Sequence, residues 1–310
     1  MDPSGEKVPL HFLVPGFSKC GTTTLCQLLG EHPALFVPGP GQKEPWFFSH
    51  YFEQGWESYR EFYLDAPASA LLGEGSTTYT GIEGETAARQ RILEHYPDIR
   101  LIFIARDPFD RIESSYREFH HSGVRFGVDC PYDLGEAIDK FPQILWDSAY
   151  AARLDNYRQH MPQEQILTVL LEDLTTDPTR VLRQCFKFLG VDPNVTIPDI
   201  ARRANEGESK FYDTPELRRM RKRRLSPDTA LPLSRIPLIT QDQFLVKLGL
   251  RKPFGHTPVA WPKGLRDRVI EQIGADATRF LAMLGRDVSV WPRFAAALAE
   301  HADPSETPSR

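Results

Sequence analysis

The chain has 310 residues, of which 41% are hydrophobic and 25% are charged, and its net charge is -5 at pH 7. This length is enough for a sizeable hydrophobic core, and the negative charge argues against a nucleic-acid binder that works through bulk positive charge. No stretch approaches the roughly 20 apolar residues of a membrane span, and the N-terminal residues lack a signal-peptide pattern.

The apolar periodicity predicts strands that alternate with helices along the first 190 residues. This alternation indicates an α/β fold, with a central parallel sheet flanked by helices on both faces. Sheets of this kind bind ligands at the carboxyl ends of their strands. The predicted strands span residues 10–15, 100–107 and 165–173, and the predicted helices span residues 22–31, 59–64, 85–95, 108–119, 132–141, 148–161 and 178–189.

The rest of the chain is less regular. Residues 202–224 are basic, and residues 225–260 are dotted with prolines, which predicts irregular structure. An amphipathic helix is predicted over residues 264–284, and residues 301–310 form a polar tail. The length and apolar content of residues 214–260 favour a functional segment that closes over a ligand.

The stretch GFSKCGTTTL, residues 16–25, follows the first predicted strand. Gly16 permits a tight turn, and Gly21 lets the backbone approach a ligand. Backbone N–H groups at the start of the next helix, with the threonine hydroxyls beside them, are typical of a phosphate site. Unlike a P-loop, the stretch has Thr22 at the lysine position and Lys19 three residues earlier. A turn that only caps the helix is the simpler alternative.

The stretch LIFIARDPFDRIESSY is a second candidate anion site. Arg106 stands at the end of a predicted strand, and Ser114 follows eight residues later on a predicted helix. An arginine at this place can make paired hydrogen bonds to a phosphate, and a serine two helical turns on can donate to the same group. A salt bridge from Arg106 to Asp107 or Asp110 is the alternative.

The two motifs together resemble the sulfotransferases that use 3′-phosphoadenosine 5′-phosphosulfate (PAPS), and among them the carbohydrate sulfotransferases of the heparan sulfate type. KEPWFF (43–48) resembles the family's K-E-x-x-F-F segment, GEGSTTY (73–79) stands in place of E-K-[TS]-P-x-Y, and SKFYD (209–213) resembles its K-G-F-Y loop. The resemblance implies a P-loop-like three-layer fold in a single domain over residues 1–300, with residues 214–260 as an acceptor-side lid. It also implies PAPS as co-substrate, adenosine 3′,5′-bisphosphate as product, and no metal.

The resemblance assigns a role to each matching residue. Lys19 would stabilise the bridging oxygen of the leaving phosphate, and Glu44 would take the acceptor proton. Lys43, Trp46 and Tyr79 would bind the acceptor. Gly75 stands where the family carries a lysine, and the glycine of the K-G-F-Y loop is missing. The donor site would consist of Gly16, Ser18, Lys19, Cys20, Gly21, Thr22, Thr23, Thr24, Arg106, Ser114, Lys210, Phe211 and Tyr212.

Alternatives remain for the base and for the reaction. His120 and His121 are rival bases, since other sulfotransferases use a histidine, but both are expected at the surface. A P-loop kinase is a second reading, because TVLLED resembles a strand that ends in magnesium-holding acids at Glu172 and Asp173. A third reading is a nucleotide-binding protein without catalysis.

The expected acceptor is a hydroxyl group of a small molecule, glycoside or glycolipid. We expect neither a nucleic-acid partner nor a stable membrane anchor, as in soluble bacterial-type members of the family. The cysteines form no C-x-x-C pair, so they are expected to be reduced thiols in a cytoplasmic protein. Their positions are Cys20, Cys26, Cys130 and Cys185.

Overall fold

The computed structural model describes most of the chain as two compact units. The predicted single domain stays a prediction, and the predicted lid, residues 214–260, falls within the second unit. The first unit comprises Met1–Arg111, Leu145–Glu206 and Lys263–Arg310, and the second comprises Ile112–Ile144 and Gly207–Pro262. The described residues are 5–39, 41–123, 127–198, 200, 210–224, 238–254 and 259–302, with 222–224 and 238–242 described by their backbone alone.

The first unit is built on a five-stranded parallel sheet in the order β2–β3–β1–β4–β5. Five consecutive residues of β4 are buried, because a parallel sheet covered on both faces has no solvent side. The predicted α/β fold, with a central parallel sheet flanked by helices, is confirmed. The strands are β1 (Leu10–Gly16), β2 (Leu35–Phe36), β3 (Leu71–Glu74), β4 (Arg100–Ala105) and β5 (Ile166–Leu170).

Helices α1 (Thr22–Gly30) and α9 (Pro178–Leu189) pack on one face of this sheet through a shared apolar core. Leu25, Leu28 and Leu29 are buried there, as the helical spacing predicts. Among the described residues, no helix is long and apolar enough to cross a membrane. The other helices of this unit are α2 (Trp56–Arg60), α3 (Glu85–His95), α7 (Tyr150–Arg158), α8 (Leu171–Thr176), α12 (Lys263–Val269), α13 (Ala275–Met283) and α14 (Pro292–Ala302), while α4 (Pro108–His121) and α6 (Gln143–Trp146) extend into both units.

Several predicted elements of the first unit have different limits in the structure. The strand predicted over residues 165–173 ends at Leu170, and α8 begins at the next residue. Glu172 and Asp173 therefore lie in the first turn of a helix, not at a strand end. The closing helix predicted over 264–284 is interrupted by a π-helical turn at Ile270–Gly274.

The second unit contains a two-stranded antiparallel ribbon of β6 (Phe211–Asp213) and β7 (Arg251–Pro253). The prediction of irregular structure over residues 225–260 was wrong for β7 and for α11, because proline is tolerated at the edges of such elements. The SKFYD stretch was expected to be a loop, but its last three residues form β6. Ser209, residues 225–237 and residues 255–258 lie outside the described residues. The helices are α5 (Leu134–Lys140), α10 (Pro215–Arg224) and α11 (Leu238–Lys247).

Candidate functional site

The loop after β1 depends on its two glycines. A Cβ atom on Gly16 would lie 2.1 Å from Oγ1 of Thr80, so a side chain has no room there. Gly21 has φ +91°, and a Cβ atom on it would lie 2.6 Å from Cδ1 of Leu171. Between them, Lys19 adopts φ 64°, in the left-handed region that a non-glycine residue seldom occupies. Strain of this kind is concentrated at functional sites.

The start of α1 is open to an anion. Gly21 is the N-cap residue and makes no side-chain capping bond. The first three amides of the helix, on Thr22, Thr23 and Thr24, precede the first intrahelical bond, from Leu25 N to Gly21 O at 3.0 Å. Cys20 was also assigned to the donor site, but its backbone amide donates to Phe17 O at 3.2 Å within the loop.

Two arginines hold the loop from outside. Nε of Arg111 donates to Ser18 O at 3.1 Å, and Nη1 of Arg106 donates to Lys19 O at 3.4 Å. Arg111 is fully buried and pairs with Asp147 at 3.1 Å. Arg106 lies 3.7 Å from Asp110 and keeps a quarter of its side chain exposed. The contact of Arg111 with the loop was not predicted from the sequence. The only indication of it there is that Arg111 lies in the first turn of the helix after β4.

Cys20 and Tyr150 anchor the loop on its buried side. The Tyr150 hydroxyl donates to Arg106 O at 3.0 Å and lies 3.4 Å from Sγ of Cys20. Both side chains are buried, and burial raises the pKa of the Cys20 thiol to about 11. The thiol is therefore neutral at physiological pH, and its contribution is to packing.

A second group of residues lies at the carboxyl end of β3. Lys43 forms an ion pair with Oε1 of Glu44 and donates to Gly75 O at 3.1 Å. A Cβ atom on Gly75 would lie 2.5 Å from Sγ of Cys26 and 3.8 Å from Nζ of Lys43. The space beside Gly75 is thus taken by α1, and the positive charge at this point comes from Lys43.

Glu44 is oriented by several donors. Besides Lys43, its Oε2 atom accepts hydrogen bonds from Nε1 of Trp46 at 3.0 Å and from Oγ1 of Thr77 at 3.3 Å. About a quarter of the side chain remains exposed. A carboxylate held in one orientation but open to solvent can accept a proton from a bound molecule.

A four-residue 3₁₀ turn, Thr77–Thr80, links Glu44 to the loop. Its first residue donates to Glu44, and Oγ1 of its last residue, Thr80, donates to Pro15 O at 2.9 Å while packing against Gly16. The contacts of the carboxylate and the beginning of the loop are therefore set by one short segment.

Beneath Glu44 lies a second carboxylate, Glu74, which is fully buried. It accepts hydrogen bonds from the Tyr79 hydroxyl and from Ser76 N, both at 2.7 Å. Burial raises the pKa of Glu74 to about 7. The assignment of Tyr79 to the acceptor is contradicted, because its side chain is fully buried and its hydroxyl is bound to Glu74.

The remaining predicted site residues belong to the second unit. Lys210 forms an ion pair with Glu118 at 2.6 Å. Phe211 and Tyr212 are half-buried in β6, where Phe211 packs against His121 with ring centroids 5.8 Å apart. Ser114 is half-buried on α4.

The surface position predicted for the rival bases is wrong for His120, which is fully buried. Its Nδ1 lies 2.6 Å from the Arg218 guanidinium, and its Nε2 lies 3.0 Å from Pro131 O. Burial, and then the Arg218 charge, lower the pKa of His120 to about 4. His121 is half-buried, and its Nδ1 accepts a hydrogen bond from Phe211 N at 3.3 Å.

Comparison with known proteins gives consistent matches. The family model described as "Sulfotransferase family" matches residues 84–194. The chain is 29% identical over 207 residues to "Bifunctional heparan sulfate N-deacetylase/N-sulfotransferase 3" of Mus musculus, covering 61% of this chain and 23% of that protein. It is 26% identical over 200 residues to "Heparan sulfate glucosamine 3-O-sulfotransferase 3A1" of Mus musculus, covering 63% of this chain and 49% of that protein.

The chain thus spans less than half the length of these two relatives. The fold is shared with a solved sulfotransferase from Alicyclobacillus acidocaldarius, at a TM-score of 0.60 and 22% identity, covering 92% of this chain and all of that one. Together with the loop motif and the strand-end arginine, these matches make the chain similar to the sulfotransferase family over residues 84–194 and in its fold.

Proposed function

We propose that the protein transfers a sulfuryl group from PAPS to a hydroxyl group of a small molecule, glycoside or glycolipid, and releases adenosine 3′,5′-bisphosphate. The observation that carries this proposal is the pairing of an uncapped helix N-terminus with an oriented, partly exposed carboxylate. The turn Thr77–Thr80 contacts the carboxylate at one end and Pro15, at the beginning of the loop, at the other. An anion site next to a base is what a transfer from an anionic donor to a hydroxyl group needs.

In this mechanism the acceptor oxygen forms a bond to sulfur, and its proton passes to Glu44. The bond from sulfur to the bridging oxygen breaks, and its electron pair stays on the 5′-phosphate. Lys19 stabilises that developing charge together with the amides of Thr22 to Thr24, an electrostatic contribution of about 3 kcal/mol for a single well-placed donor. Lys43 pairs with Glu44 and helps to orient the carboxylate.

The 3′-phosphate of the donor is assigned to Arg106 and Ser114, and the nucleotide to Lys210, Phe211 and Tyr212. The partial exposure of Arg106 supports this assignment, since an exposed guanidinium can donate paired hydrogen bonds to two oxygens of a phosphate. The donor brings its own negative charges, and these residues neutralise them without a metal.

A kinase is less well supported than a sulfotransferase. Asp173 pairs with Arg286 at 2.5 Å and with Arg180 at 3.4 Å, and Oε1 of Glu172 accepts from Asp107 N at 2.8 Å. Asp173 is therefore occupied by two arginines, and one oxygen of Glu172 is occupied by a backbone amide. Among the described residues, no group of three or more histidine, cysteine and acidic side chains is arranged to hold a metal.

Thermal unfolding with different nucleotides tests the donor class. Adenosine 3′,5′-bisphosphate without metal should raise the melting temperature, and at a hundred times its Kd the stabilisation should be about 2.7 kcal/mol. Stabilisation by ATP with magnesium, but not by adenosine 3′,5′-bisphosphate, would favour the kinase.

The lid role of residues 214–260 belongs to the same proposal. Deleting the segment would not test it cleanly, because Arg251 is buried and lies 3.6 Å from the buried Asp213. Hydrogen exchange is the better measurement. Peptides from α10 and α11 should become protected when acceptor or product is added to the nucleotide complex, and unchanged exchange would remove the lid from the proposal.

A further inference from the structure

Trp46 is held in an unfavourable position beside Glu44. Its φ is 53°, in the left-handed region, and 38% of the residue is exposed. Its backbone N donates to Oγ of Ser76 at 3.0 Å, and its indole Nε1 donates to Oε2 of Glu44 at 3.0 Å. Core packing does not explain a strained backbone that holds a large ring in contact with solvent.

The π-helical turn that follows, Phe47–Tyr51, carries one set of buried aromatic rings and one set of exposed rings. Phe47 and Phe48 are buried, and Phe47 stacks on Tyr59 with ring centroids 4.4 Å apart. The other rings continue outward from Trp46. His50 lies 6.3 Å from Trp46 and 6.2 Å from Tyr51, which is 41% exposed. Turns of this rare type occur frequently at functional sites. We call Trp46, His50 and Tyr51 the aromatic row.

Hydroxyl groups run beside the aromatic row. Oγ of Ser49 lies 2.8 Å from Oγ1 of Thr78 and 2.7 Å from Nδ1 of His50. The surrounding sequence, residues 44–59, contains three glutamates and no lysine or arginine. Of the cations beside this segment, Lys43 pairs with Glu44, and Arg91 donates to Phe48 O at 2.8 Å and lies 3.5 Å from Glu53. Because these contacts already use the two positive charges, the segment favours an uncharged acceptor over a polyanionic one.

We propose that the aromatic row is an acceptor subsite for an uncharged sugar ring. A sugar has an apolar face of C–H groups, which stacks on an exposed aromatic ring, and a rim of hydroxyl groups, which hydrogen-bonds to side chains such as Ser49 and His50. The subsite rests on the proposed function, because it is Glu44 that takes the proton of the sugar hydroxyl. The acceptor class is therefore a neutral glycoside.

The test uses neutral methyl glycosides and p-nitrophenol as acceptors with PAPS. Trp46→Ala should raise KM for the responding glycoside about tenfold or more, without weakening adenosine 3′,5′-bisphosphate binding. Trp46→Phe keeps a ring and loses the indole donor, so KM should stay within a few-fold while kcat falls. Tyr51→Ala, which removes an exposed ring at the far end of the row, should also raise KM. Trp146→Ala is the matched control, since that tryptophan is 39% exposed elsewhere.

Saturation-transfer NMR with the same glycosides and adenosine 3′,5′-bisphosphate detects binding without turnover. The wild type should show transfer from protein to sugar protons, and Trp46→Ala and Tyr51→Ala should weaken it. Turnover of p-nitrophenol but of no glycoside, or an unchanged glycoside KM in both row variants, would overturn the sugar subsite while leaving sulfuryl transfer intact. If the proposed function itself is wrong, the outcome is different: adenosine 3′,5′-bisphosphate is not released from PAPS with any of the acceptors.

Discussion

Gly16 and Thr80 are in such close contact that a Cβ atom on the glycine would lie 2.1 Å from Oγ1 of the threonine. The two residues belong to different parts of the candidate site. Gly16 ends β1 and begins the loop after it, and Thr80 ends the turn whose first residue, Thr77, donates to Glu44. A larger side chain at this contact should therefore disturb both donor binding and the proposed base, Glu44.

Gly16→Ala should weaken adenosine 3′,5′-bisphosphate binding and lower turnover together, because the new methyl group pushes the loop away from Thr80. Calorimetric Kd values and kcat report the two effects. Adding Thr80→Ala should restore part of both, since it removes the atom that clashes. A double variant no better than the single one would show that the contact does not position the loop.

Glu44→Gln should reduce turnover by about a hundredfold or more, because the amide cannot take the acceptor proton. Nucleotide binding, measured by the shift in melting temperature, should be nearly unchanged. His121→Ala is the comparison for a histidine base. Loss of turnover in the histidine variant, with most activity kept in Glu44→Gln, would move the base to His121.

Arg106→Ala should remove the preference for a 3′-phosphate. The wild type should be stabilised more by adenosine 3′,5′-bisphosphate than by 5′-AMP, and in the variant the two nucleotides should act alike. This comparison separates the phosphate contact from the contact of Arg106 with Lys19 O, since losing the latter affects both nucleotides. Equal stabilisation by both nucleotides in the wild type would show that Arg106 does not bind the 3′-phosphate.

Glu74 should make the free energy of unfolding depend on pH. Its pKa is raised from 4.5 to about 7 in the folded state, so between these values the unfolded chain releases a proton that the folded chain keeps. The free energy of unfolding therefore falls as pH rises through this range, by about 3 kcal/mol for this carboxyl group, and levels off above it. In denaturant unfolding, the advantage of the wild type over Glu74→Gln should shrink from pH 4.5 to pH 8. Glu94→Gln, at an exposed glutamate, should show no such trend.

The sequence was sufficient for the α/β fold and for strands β1, β4 and β5, because these depend on local apolar patterns, but the short strands β2 and β3 were not predicted. Apolar runs predict buried strands, and Gly16 and Gly21 flank a turn whose shape they permit. The contacts that orient these residues could not be predicted. Thr80 meets Gly16 across 64 residues of chain, and Arg111 reaches Ser18 O across 93.

Burial caused the wrong predictions about side chains. His120 follows the segment that carries Ser114, and Tyr79 is the last residue of the GEGSTTY segment. Their residue types suggest a surface position for His120 and an acceptor role for Tyr79. Both are fully buried, and their polar atoms are held by Arg218 and Glu74, respectively. A buried polar group needs such a partner, but the sequence does not say which distant residue supplies it.

Transfer of labelled sulfur from PAPS tests sulfuryl transfer most directly. The protein is incubated with sulfur-labelled PAPS and the panel of neutral methyl glycosides and p-nitrophenol, with Lys19→Ala as the matched variant. We predict acceptor-dependent movement of the label from PAPS, equal release of adenosine 3′,5′-bisphosphate, and a large loss of both in Lys19→Ala, without added metal. Retention of the label on PAPS with every acceptor, while ATP and magnesium phosphorylate one of them, would contradict it.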